Sequence, residues 1–248
     1  MRLATYNILH GRSLVDGRVD VDRFAAAVRE LDADVVGLQE VDRNQPRSRR
    51  ADLAAVAALA AGASEHRYVA TMTGLPGLWT SARGESTPRR PSYGIALLSR
   101  YPVSSWRVVP LPRKGRLTWV ANRPVRDEPR AALAAVVDGP QGPLTVVNTH
   151  LTWLDGWNDH QLGILLDEVA DLPRPLVIMG DLNMPPARAD RSGLQPLASA
   201  HTYPVGEPVR QIDHILGDGP VRAAGPARSV DTGLSDHRAL VVDVTLEA

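Results

Sequence analysis

The chain has 248 residues, 44% of them hydrophobic, so it is long and apolar enough to bury a sizeable core. Its 28 basic residues balance 28 acidic ones, which excludes the long-range positive field of proteins that concentrate nucleic acid around themselves. Because the chain has no cysteine, it has no disulfide and no thiolate metal site, and any metal needs carboxylate, amide or imidazole ligands. Such ligands favour a hard cation.

The sequence shows no apolar run as long as a signal peptide at its start, and no later run of membrane-spanning length. We therefore expect a cytoplasmic protein without membrane association, and no protein partner is implied. Nothing divides the chain into two blocks, so we expect a single domain over residues 1–248.

Short runs rich in Val, Ile and Leu alternate with amphipathic stretches, which predicts strands and helices packed in layers, an α/β architecture. In chain order the predicted elements are strand 2–8, helix Val21–Leu31, strand 34–38, helix 51–61, strand 93–99, strands 131–138 and 143–149, helix 161–172, and strands 175–179, 212–216 and 238–246. Residues 74–91 lack periodicity and predict a long surface loop that borders the site. Residues 110–129 and 185–208 are also predicted to be irregular.

Polar side chains interrupt the apolar pattern where predicted strands end. A carboxylate or imidazole at the rim of a sheet is poorly placed for packing but well placed for a ligand. The interrupting residues are Asn7, Glu40, His150, Asp181, Asn183, Asp213, Asp236 and His237. Any one of them alone could form a turn or be a core histidine. Together they supply what phosphoryl transfer needs: ligands for a cation, donors for phosphate oxygens and a base for water.

Seven short motifs contain these residues and span nearly the whole chain. They are TYNILHG at 5–11, LQEVD at 38–42, YGIALLSRYP at 93–102, NTHL at 148–151, GDLN at 180–183, IDHIL at 212–216 and SDHRAL at 235–240. In this order they resemble the endonuclease/exonuclease/phosphatase superfamily, which includes deoxyribonuclease I, abasic-site endonucleases, inositol-polyphosphate 5-phosphatases and neutral sphingomyelinases. Each motif alone is unspecific, but seven in register are specific. The resemblance implies a four-layer α/β/β/α sandwich of two mixed sheets flanked by helices, with the active site at one edge.

The resemblance also implies a metal site and a water-activating group. Glu40 is the expected principal ligand of Mg²⁺ or Mn²⁺, assisted by Asn7, directly or through water, and by Asp236. Asp181 is expected to position or deprotonate the attacking water, and Asn183 to donate to a phosphoryl oxygen.

Two histidines complete the expected catalytic set. By resemblance His237 is the catalytic imidazole, and Asp213 is the carboxylate that fixes its tautomer and stabilises its charged form. His150 is expected either to donate to a non-bridging oxygen or to protonate the leaving group. Whether Asp181 or His237 takes the proton from water stays open.

The expected substrate-binding residues are Arg130, Tyr93 and Asn183. Relatives often carry an arginine that contacts phosphate at the position of Arg130, whose alternative is a solvated arginine at the start of a strand. His10 is a further rim residue. His214 has the opposite strand parity to Asp213 and is predicted to serve packing.

The substrate follows neither from the fold nor from the motifs. We rank a small phosphodiester or phosphomonoester first, DNA or RNA second and a phospholipid or sphingomyelin third, and a non-catalytic binding module is the remaining alternative.

Arg83, Arg89 and Arg90 with Trp79 could hold a nucleic-acid backbone or a phosphorylated head group. Arg47, Arg49 and Arg50 are predicted to be solvated. The apolar residues that could touch a membrane, or close over the core, are Leu75, Leu78, Trp79, Trp153, Leu154 and Trp157.

Overall fold

A computed structural model of the protein describes residues 1–84, 90–115, 118–120, 123–125 and 127–247. In this part of the chain, strands β1 to β16 span Arg2–Asn7, Val35–Arg43, Glu65–Thr73, Thr80–Gly84, Ser92–Ser99, Val103–Leu111, Thr118–Val120, Arg123–Val125, Arg130–Gly139, Gly142–His150, Leu176–Asp181, Gln195–Pro196, Asp213–Asp218, Val221–Ala223, Arg228–Val230 and Ala239–Leu246. Helices α1 to α4 span Val21–Leu31, Leu53–Ala61, Trp157–Glu168 and Pro186–Ala189.

The strands form two mixed sheets and a short separate hairpin. The first sheet has the order β14-β16-β1-β2-β5-β3-β4, with β15 paired to β16, and the second has the order β12-β13-β11-β10-β9-β6. Each sheet contains one parallel pair, β1 with β2 and β10 with β11, among antiparallel neighbours. Strands β7 and β8 pair with each other.

Alternate strand positions supply three apolar cores, which separate four layers. The core between α1, α2 and the first sheet includes Phe24, Val28, Leu38 and Leu53. The core between the two sheets includes Leu3, Ile95, Leu133, Val146 and Met179. The core between the second sheet and α3 includes Ala134, Leu162, Leu165 and Ile178. The predicted four-layer sandwich is therefore confirmed.

A buried amide, Asn148 of β10, crosses from the second sheet into the first. Its Nδ2 donates to the carbonyl oxygens of Leu38 at 3.0 Å and Ala96 at 2.8 Å, and its Oδ1 accepts from Gln39 Nε2 at 2.7 Å. The crossing needs a glycine at position 37, because a Cβ there would lie 2.8 Å from Asn148 Oδ1. Directional bonds to two strands of the opposite sheet fix the relative register of the sheets, which apolar contacts alone do not.

The helices begin where the sequence supplies caps. Asp20 accepts from the backbone N–H of Arg23 at the start of α1, and Asp52 accepts from that of Ala55 at the start of α2. Helix α3 begins at Trp157, four residues before the predicted start. Its first turns carry buried polar residues, such as Gln161, which bonds to the backbone and therefore weakens the apolar period. Among the described residues, no helix has both the length and the apolar character needed to span a bilayer.

All three regions predicted to be irregular contain strands, and residues 185–208 include α4 and β12. Within 74–91, residues Thr80–Gly84 form β4, which extends the edge of the first sheet through β3. Within 110–129, the described residues include the end of β6 and the hairpin of β7 and β8. An edge strand has only one paired neighbour, so its composition can stay polar and rich in turn formers, which hides it from a search for apolar alternation.

The Gly37→Ala variant is expected to lose about 1–3 kcal/mol of unfolding free energy, because its new methyl group collides with the buried Asn148 amide. Urea unfolding measures the difference. The matched control is Gly163→Ala in α3, where a Cβ meets no atom within 4 Å and alanine should stabilise the helix by up to about 1 kcal/mol. Equal stability of the Gly37→Ala protein and the wild type would contradict the proposed packing.

Candidate active site

Strand pairing brings three of the predicted residues side by side at one edge of the second sheet. His150 ends β10 and is the parallel partner of Asp181, which ends β11 and is the antiparallel partner of Asp213 at the start of β13. Gly180 makes the first pairing possible, because a Cβ there would lie 1.9 Å from the carbonyl oxygen of Thr149. All the polar strand-end residues identified in the sequence except Asp213 line one cavity of ≈ 880 Å³.

The first sheet contributes Asn7 and Glu40 to the same cavity. Glu40 lies at a β-bulge, where the pairing of β2 with β5 shifts register between Leu38 and Val41. A bulge re-aims the side chain it carries. Asn7 Nδ2 joins the two sheets, since it donates to Glu40 Oε1 at 3.1 Å and to Asp181 Oδ2 at 3.0 Å.

Four non-glycine residues that line the cavity have left-handed backbones, as does the neighbouring Ser235. The φ angles of Leu9, His10, Glu40, Asn183 and Ser235 are 42°, 49°, 59°, 52° and 65°. This conformation costs on the order of 1 kcal/mol for each such residue, and it persists where the surrounding structure holds it. Ser235 is held by its hydroxyl, which donates to the carbonyl oxygen of Asn7 at 2.7 Å. Strain gathered at one edge of the fold indicates a candidate functional site there.

His237 is paired with the fully buried carboxylate of Asp213. The Nδ1 atom of His237 lies 2.9 Å from Asp213 Oδ2, which also accepts from Thr202 Oγ1 at 2.5 Å. The ring of Tyr203 packs on the imidazole, with 5.0 Å between ring centroids. Burial opposes the charged form of His237, but Asp213, Asp181 and Asp236 prevail and raise its pKa to about 10. The imidazole is therefore a cation at neutral pH.

His150 has the opposite electrostatic character. Arg130 Nη1, which can only donate, lies 2.9 Å from His150 Nδ1, so this nitrogen accepts and the ring carries its proton on Nε2. Burial and the charges of Arg130 and His237 hold the pKa of His150 well below its ordinary value. Because Arg130 Nη2 pairs with Glu128 Oε2 at 3.1 Å, the arginine is itself held in place. His150 is a neutral donor whose tautomer is fixed.

Asp181 lies at the centre of the donors. Its Oδ2 is 3.5 Å from His150 Nε2 and 3.7 Å from His237 Nε2, and it accepts the bond from Asn7. Burial raises the pKa of Asp181, against the nearby His237 charge. Its Oδ1 accepts from the backbone N–H of Asn183 at 3.0 Å, which closes the tight turn of the GDLN motif.

Several side chains that line the cavity were not predicted as site residues, among them Arg47 and Tyr203. Arg47, which we predicted to be solvated, keeps 31% of its side chain exposed and also forms a two-bond fork with the fully buried Asp42. Tyr203 comes from the stretch predicted to be irregular, where no periodic pattern could place it. The sequence did contain a signal for Arg47. Asp42 interrupts an apolar strand, and a buried carboxylate needs a cationic partner nearby.

Only some of the other arginines and aromatic residues singled out in the sequence line the cavity. Trp79 and Trp153 line the cavity, as does the largely buried Leu154, whereas Trp157 donates from Nε1 to the carbonyl oxygen of Pro112. Arg89 and the Arg83 side chain lie outside the described residues, and Arg90 is exposed. His214 is buried and its Nε2 lies 2.9 Å from the carbonyl oxygen of Met184, in keeping with a packing role.

The cavity contains oxygen donors that suit a hard cation. Within the described part of the chain, neither Glu40 nor Asp236 forms an ion pair with an arginine or lysine, although both face the cavity. Burial raises the pKa of Glu40, as expected for a carboxylate without such a counter-ion. A second cluster, Asp181, Asp213 and His237, has ligand atoms within 4.8 Å of one another, but two of its members are already bonded to each other. The residues present therefore fit a divalent cation.

The His237→Gln variant is expected to differ from the wild type by a stability gap that narrows as the pH rises. Since the folded-state pKa is raised from 6.5 to about 10, the charged imidazole stabilises the wild type fully below pH 6.5 and ceases to do so as the pH approaches 10. Urea unfolding in EDTA should show a gap smaller at pH 9.5 than at pH 6.5 by at least about 1 kcal/mol. His66→Gln, at an exposed position of β3, is the control. A gap that is constant or widens contradicts the pairing.

The chain resembles a protein family in sequence and several solved proteins in structure. The model of the Endonuclease/Exonuclease/phosphatase family matches residues 4–237. No curated protein sequence matches significantly. An endonuclease/exonuclease/phosphatase from Beutenbergia cavernae DSM 12333 is similar in structure, with a TM-score of 0.75 and 27% identity over 100% of this chain and 72% of that chain.

Two more distant structures share the fold. One is the mannosyl-6-phosphatase of Bacteroides thetaiotaomicron VPI-5482, with a TM-score of 0.71 and 14% identity over 99% of this chain and 100% of that chain. The other is truncated Caenorhabditis elegans TDP2, with a TM-score of 0.62 and 16% identity over 99% and 97% of the two chains. Fold, motifs and the family match agree: the chain belongs to the endonuclease/exonuclease/phosphatase family, whose members are phosphoesterase hydrolases that generally use a divalent metal.

Proposed function

We propose that this protein hydrolyses a phosphate ester by in-line attack of water on phosphorus, with a divalent cation, Mg²⁺ or Mn²⁺, at Glu40. One observation carries the proposal: donors on Asn7, His150 and His237 converge on a single oxygen, Asp181 Oδ2, at 3.0, 3.5 and 3.7 Å. Donors preorganised around one point in a buried site are what a phosphoryl group needs as it gathers negative charge.

The cation is assigned to Glu40, with Asn7 and Asp236 as further ligands. These residues offer hard oxygen atoms, and the two carboxylates lack an arginine or lysine partner among the described residues. When bound, the cation neutralises phosphate charge and polarises the phosphorus–oxygen bonds. The second cluster, around Asp213, is assigned to acid–base chemistry because Asp213 Oδ2 already accepts from His237 and Thr202.

The two histidines are assigned different tasks. His237, kept charged by Asp213, stabilises negative charge on the phosphoryl oxygens. His150, neutral and with its proton on Nε2, donates to a second oxygen without adding a charge that would compete with the cation. Arg130 acts through His150 as a positioning residue, because its Nη1 and Nη2 are engaged with His150 and Glu128.

Asp181 is assigned as the base that accepts a proton from the attacking water. Burial raises its pKa, which makes the carboxylate a better base, and a charged His237 is unable to accept a proton. Asn183, whose backbone N–H holds Asp181 Oδ1, donates from its side-chain amide to the substrate. One Nδ2 hydrogen bonds to the carbonyl oxygen of Leu151 at 3.1 Å, and the other is assigned to a phosphoryl oxygen.

A small phosphodiester or phosphomonoester is the proposed substrate. The cavity of ≈ 880 Å³ is of a size that encloses a small organic molecule. Zero net charge argues against tight binding to DNA or RNA, which stays the second choice. A lipid is the third choice, and the exposed Leu75, Leu78 and Trp153 are the residues that would contact it. A non-catalytic binding module would have no need for the strained and charged groups of the site.

Metal-dependent turnover is expected in a substrate panel. The panel contains bis-p-nitrophenyl phosphate, p-nitrophenyl phosphate, mannose 6-phosphate, inositol phosphates, sphingomyelin, plasmid DNA and RNA, each with Mg²⁺, Mn²⁺ or EDTA. His237→Asn should lower kcat on the best substrate by about 10²–10⁴-fold, since it removes the charged donor. His66→Asn is the matched control and should keep wild-type activity. No metal-dependent turnover of any substrate, or a fully active His237→Asn protein, contradicts the proposal.

The Glu40→Gln variant is expected to need about 10–100-fold more Mg²⁺ for half-maximal activity, because it replaces a charged ligand by a neutral one. Activity titrated against Mg²⁺ on the best panel substrate measures the change. Glu30→Gln, an exposed position of α1, is the control for loss of one acidic charge. An unchanged Mg²⁺ requirement in the Glu40→Gln protein would place the cation elsewhere.

A further inference from the structure

Arg47 reaches the cavity wall from the segment after β2. Its Nε and Nη2 donate to Asp42 Oδ2 and Oδ1, both at 2.8 Å, and Asp42 is fully buried while the Arg47 side chain keeps 31% of its surface exposed. The fork uses two of the three guanidinium nitrogens. The third, Nη1, is outside the fork, on a side chain that lines the cavity.

Two aromatic rings complete the support of this guanidinium. It lies 5.7 Å from the ring centroid of Trp79 and 5.6 Å from that of Tyr93, and the two rings are 5.9 Å apart. A cation that is forked to a carboxylate and flanked by rings has little rotational freedom left to lose when it binds a ligand. Arginine held in this way presents a planar donor edge, which suits a phosphate or carboxylate.

A purely structural role explains this arrangement poorly. Burying a carboxylate and pairing it with an arginine gives little net stability, because desolvation of the two charges offsets their attraction. An apolar residue at position 42 would fill the same place in β2 without that cost. The pair does, however, fix where the guanidinium lies, and that place is the cavity wall.

Two other arginines line the cavity. Arg210 is exposed and lies 5.7 Å from the ring centroid of Tyr203, whereas Arg130 is buried and already engaged. Arg130 donates to His150 from Nη1 and to Glu128 from Nη2, and its side chain is 5% exposed. Arg47 shares its wall with His10, whose pKa is lowered to about 4 by burial and by the charges of Arg47 and Arg12. His10 is neutral at pH 7, so the charge of this wall comes from Arg47.

We propose that Arg47 binds a second anionic group of the substrate, so that the preferred substrate is a phosphate ester carrying another phosphate besides the one attacked. This rests on the proposed function for the identity of the attacked group. The second phosphate belongs either to a bisphosphorylated sugar or to a nucleotide with phosphates at two positions. In both, Arg47 is a specificity-determining residue that makes no contact with the reacting atoms.

Calorimetric binding tests the proposal without relying on turnover. The probes are glucose 6-phosphate against glucose 1,6-bisphosphate, and thymidine 5′-monophosphate against thymidine 3′,5′-bisphosphate, in Mg²⁺. The host protein carries His237→Asn, which slows hydrolysis of the probes if the proposed function holds. At least one bisphosphate should bind about tenfold more tightly than its monophosphate, as expected for one added charge-assisted contact of about 1.4 kcal/mol. The probe pair that shows the advantage identifies the sugar or nucleotide source.

Removal of Arg47 together with its buried partner should abolish this advantage. Asp42→Asn/Arg47→Gln and Asp42→Leu/Arg47→Met remove the cation in two chemically different ways, so failure of one to fold leaves the other. Each should bind monophosphate and bisphosphate within twofold of each other, with monophosphate affinity unchanged. Asp42→Asn alone keeps Arg47 and should keep most of the advantage, and Arg49→Gln, an exposed neighbour, should keep all of it. Thermal unfolding confirms that each variant is folded.

Three outcomes overturn the proposal. The first is equal binding of monophosphates and bisphosphates by the host protein that retains Arg47. The second is a tighter binding of bisphosphate that survives in a folded double variant. The third is an equal loss of affinity for both members of a pair, which would assign Arg47 to the attacked phosphate. Turnover in the substrate panel is measured separately, so an inactive protein that still shows the Arg47-dependent advantage contradicts the proposed function alone.

Discussion

The active edge of this protein depends on one buried amide, Asn148, that ties the two sheets together. Asn148 lies two residues before His150, and its partner Gln39 lies one residue before Glu40. Gln39 also donates to Thr5 Oγ1 at 2.9 Å, two residues before Asn7. Apolar side chains between sheets tolerate sliding, whereas these hydrogen bonds hold at one relative position only. The network therefore sets which strand ends of one sheet face which strand ends of the other.

Within the cavity, the neighbouring charges give the two histidines different protonation states. The two histidines lie at similar distances from Asp181 Oδ2, yet one is paired with a carboxylate and the other with an arginine. The first is held charged and the second neutral. Under the proposed function this difference is useful, because two imidazolium ions would lower the basicity of Asp181, the carboxylate proposed to accept a proton.

The predicted fold was recoverable from the sequence where apolar alternation is strong. The predicted strands occur with shifts of a few residues, and α1 occurs at its predicted bounds. The strands β3 and β6 were missed, because β3 begins with the exposed Glu65, His66 and Arg67 and β6 contains Pro110. The separate hairpin was missed because its strands are only three residues long.

The residues of the candidate site could likewise be predicted only where they interrupt a regular apolar pattern. Residues that end buried strands, such as His150 and Asp181, interrupt a regular pattern and could be identified. Tyr203 and Thr202 belong to an irregular segment, and their contacts with His237 and Asp213 depend on how that segment folds over the site. Arg47 lies in a run of arginines whose members look alike in sequence, and only the burial of Asp42 separates it from Arg49 and Arg50.

The location of the cation tests the account most directly. A crystal structure grown with Mn²⁺ and inorganic phosphate, with anomalous diffraction to locate the manganese, answers the question. The account predicts an anomalous peak at Glu40, with Asn7 or Asp236 beside it and phosphate oxygens within hydrogen-bond distance of His150 and His237. Manganese bound between Asp181, Asp213 and His237, with Glu40 free of metal, would contradict it.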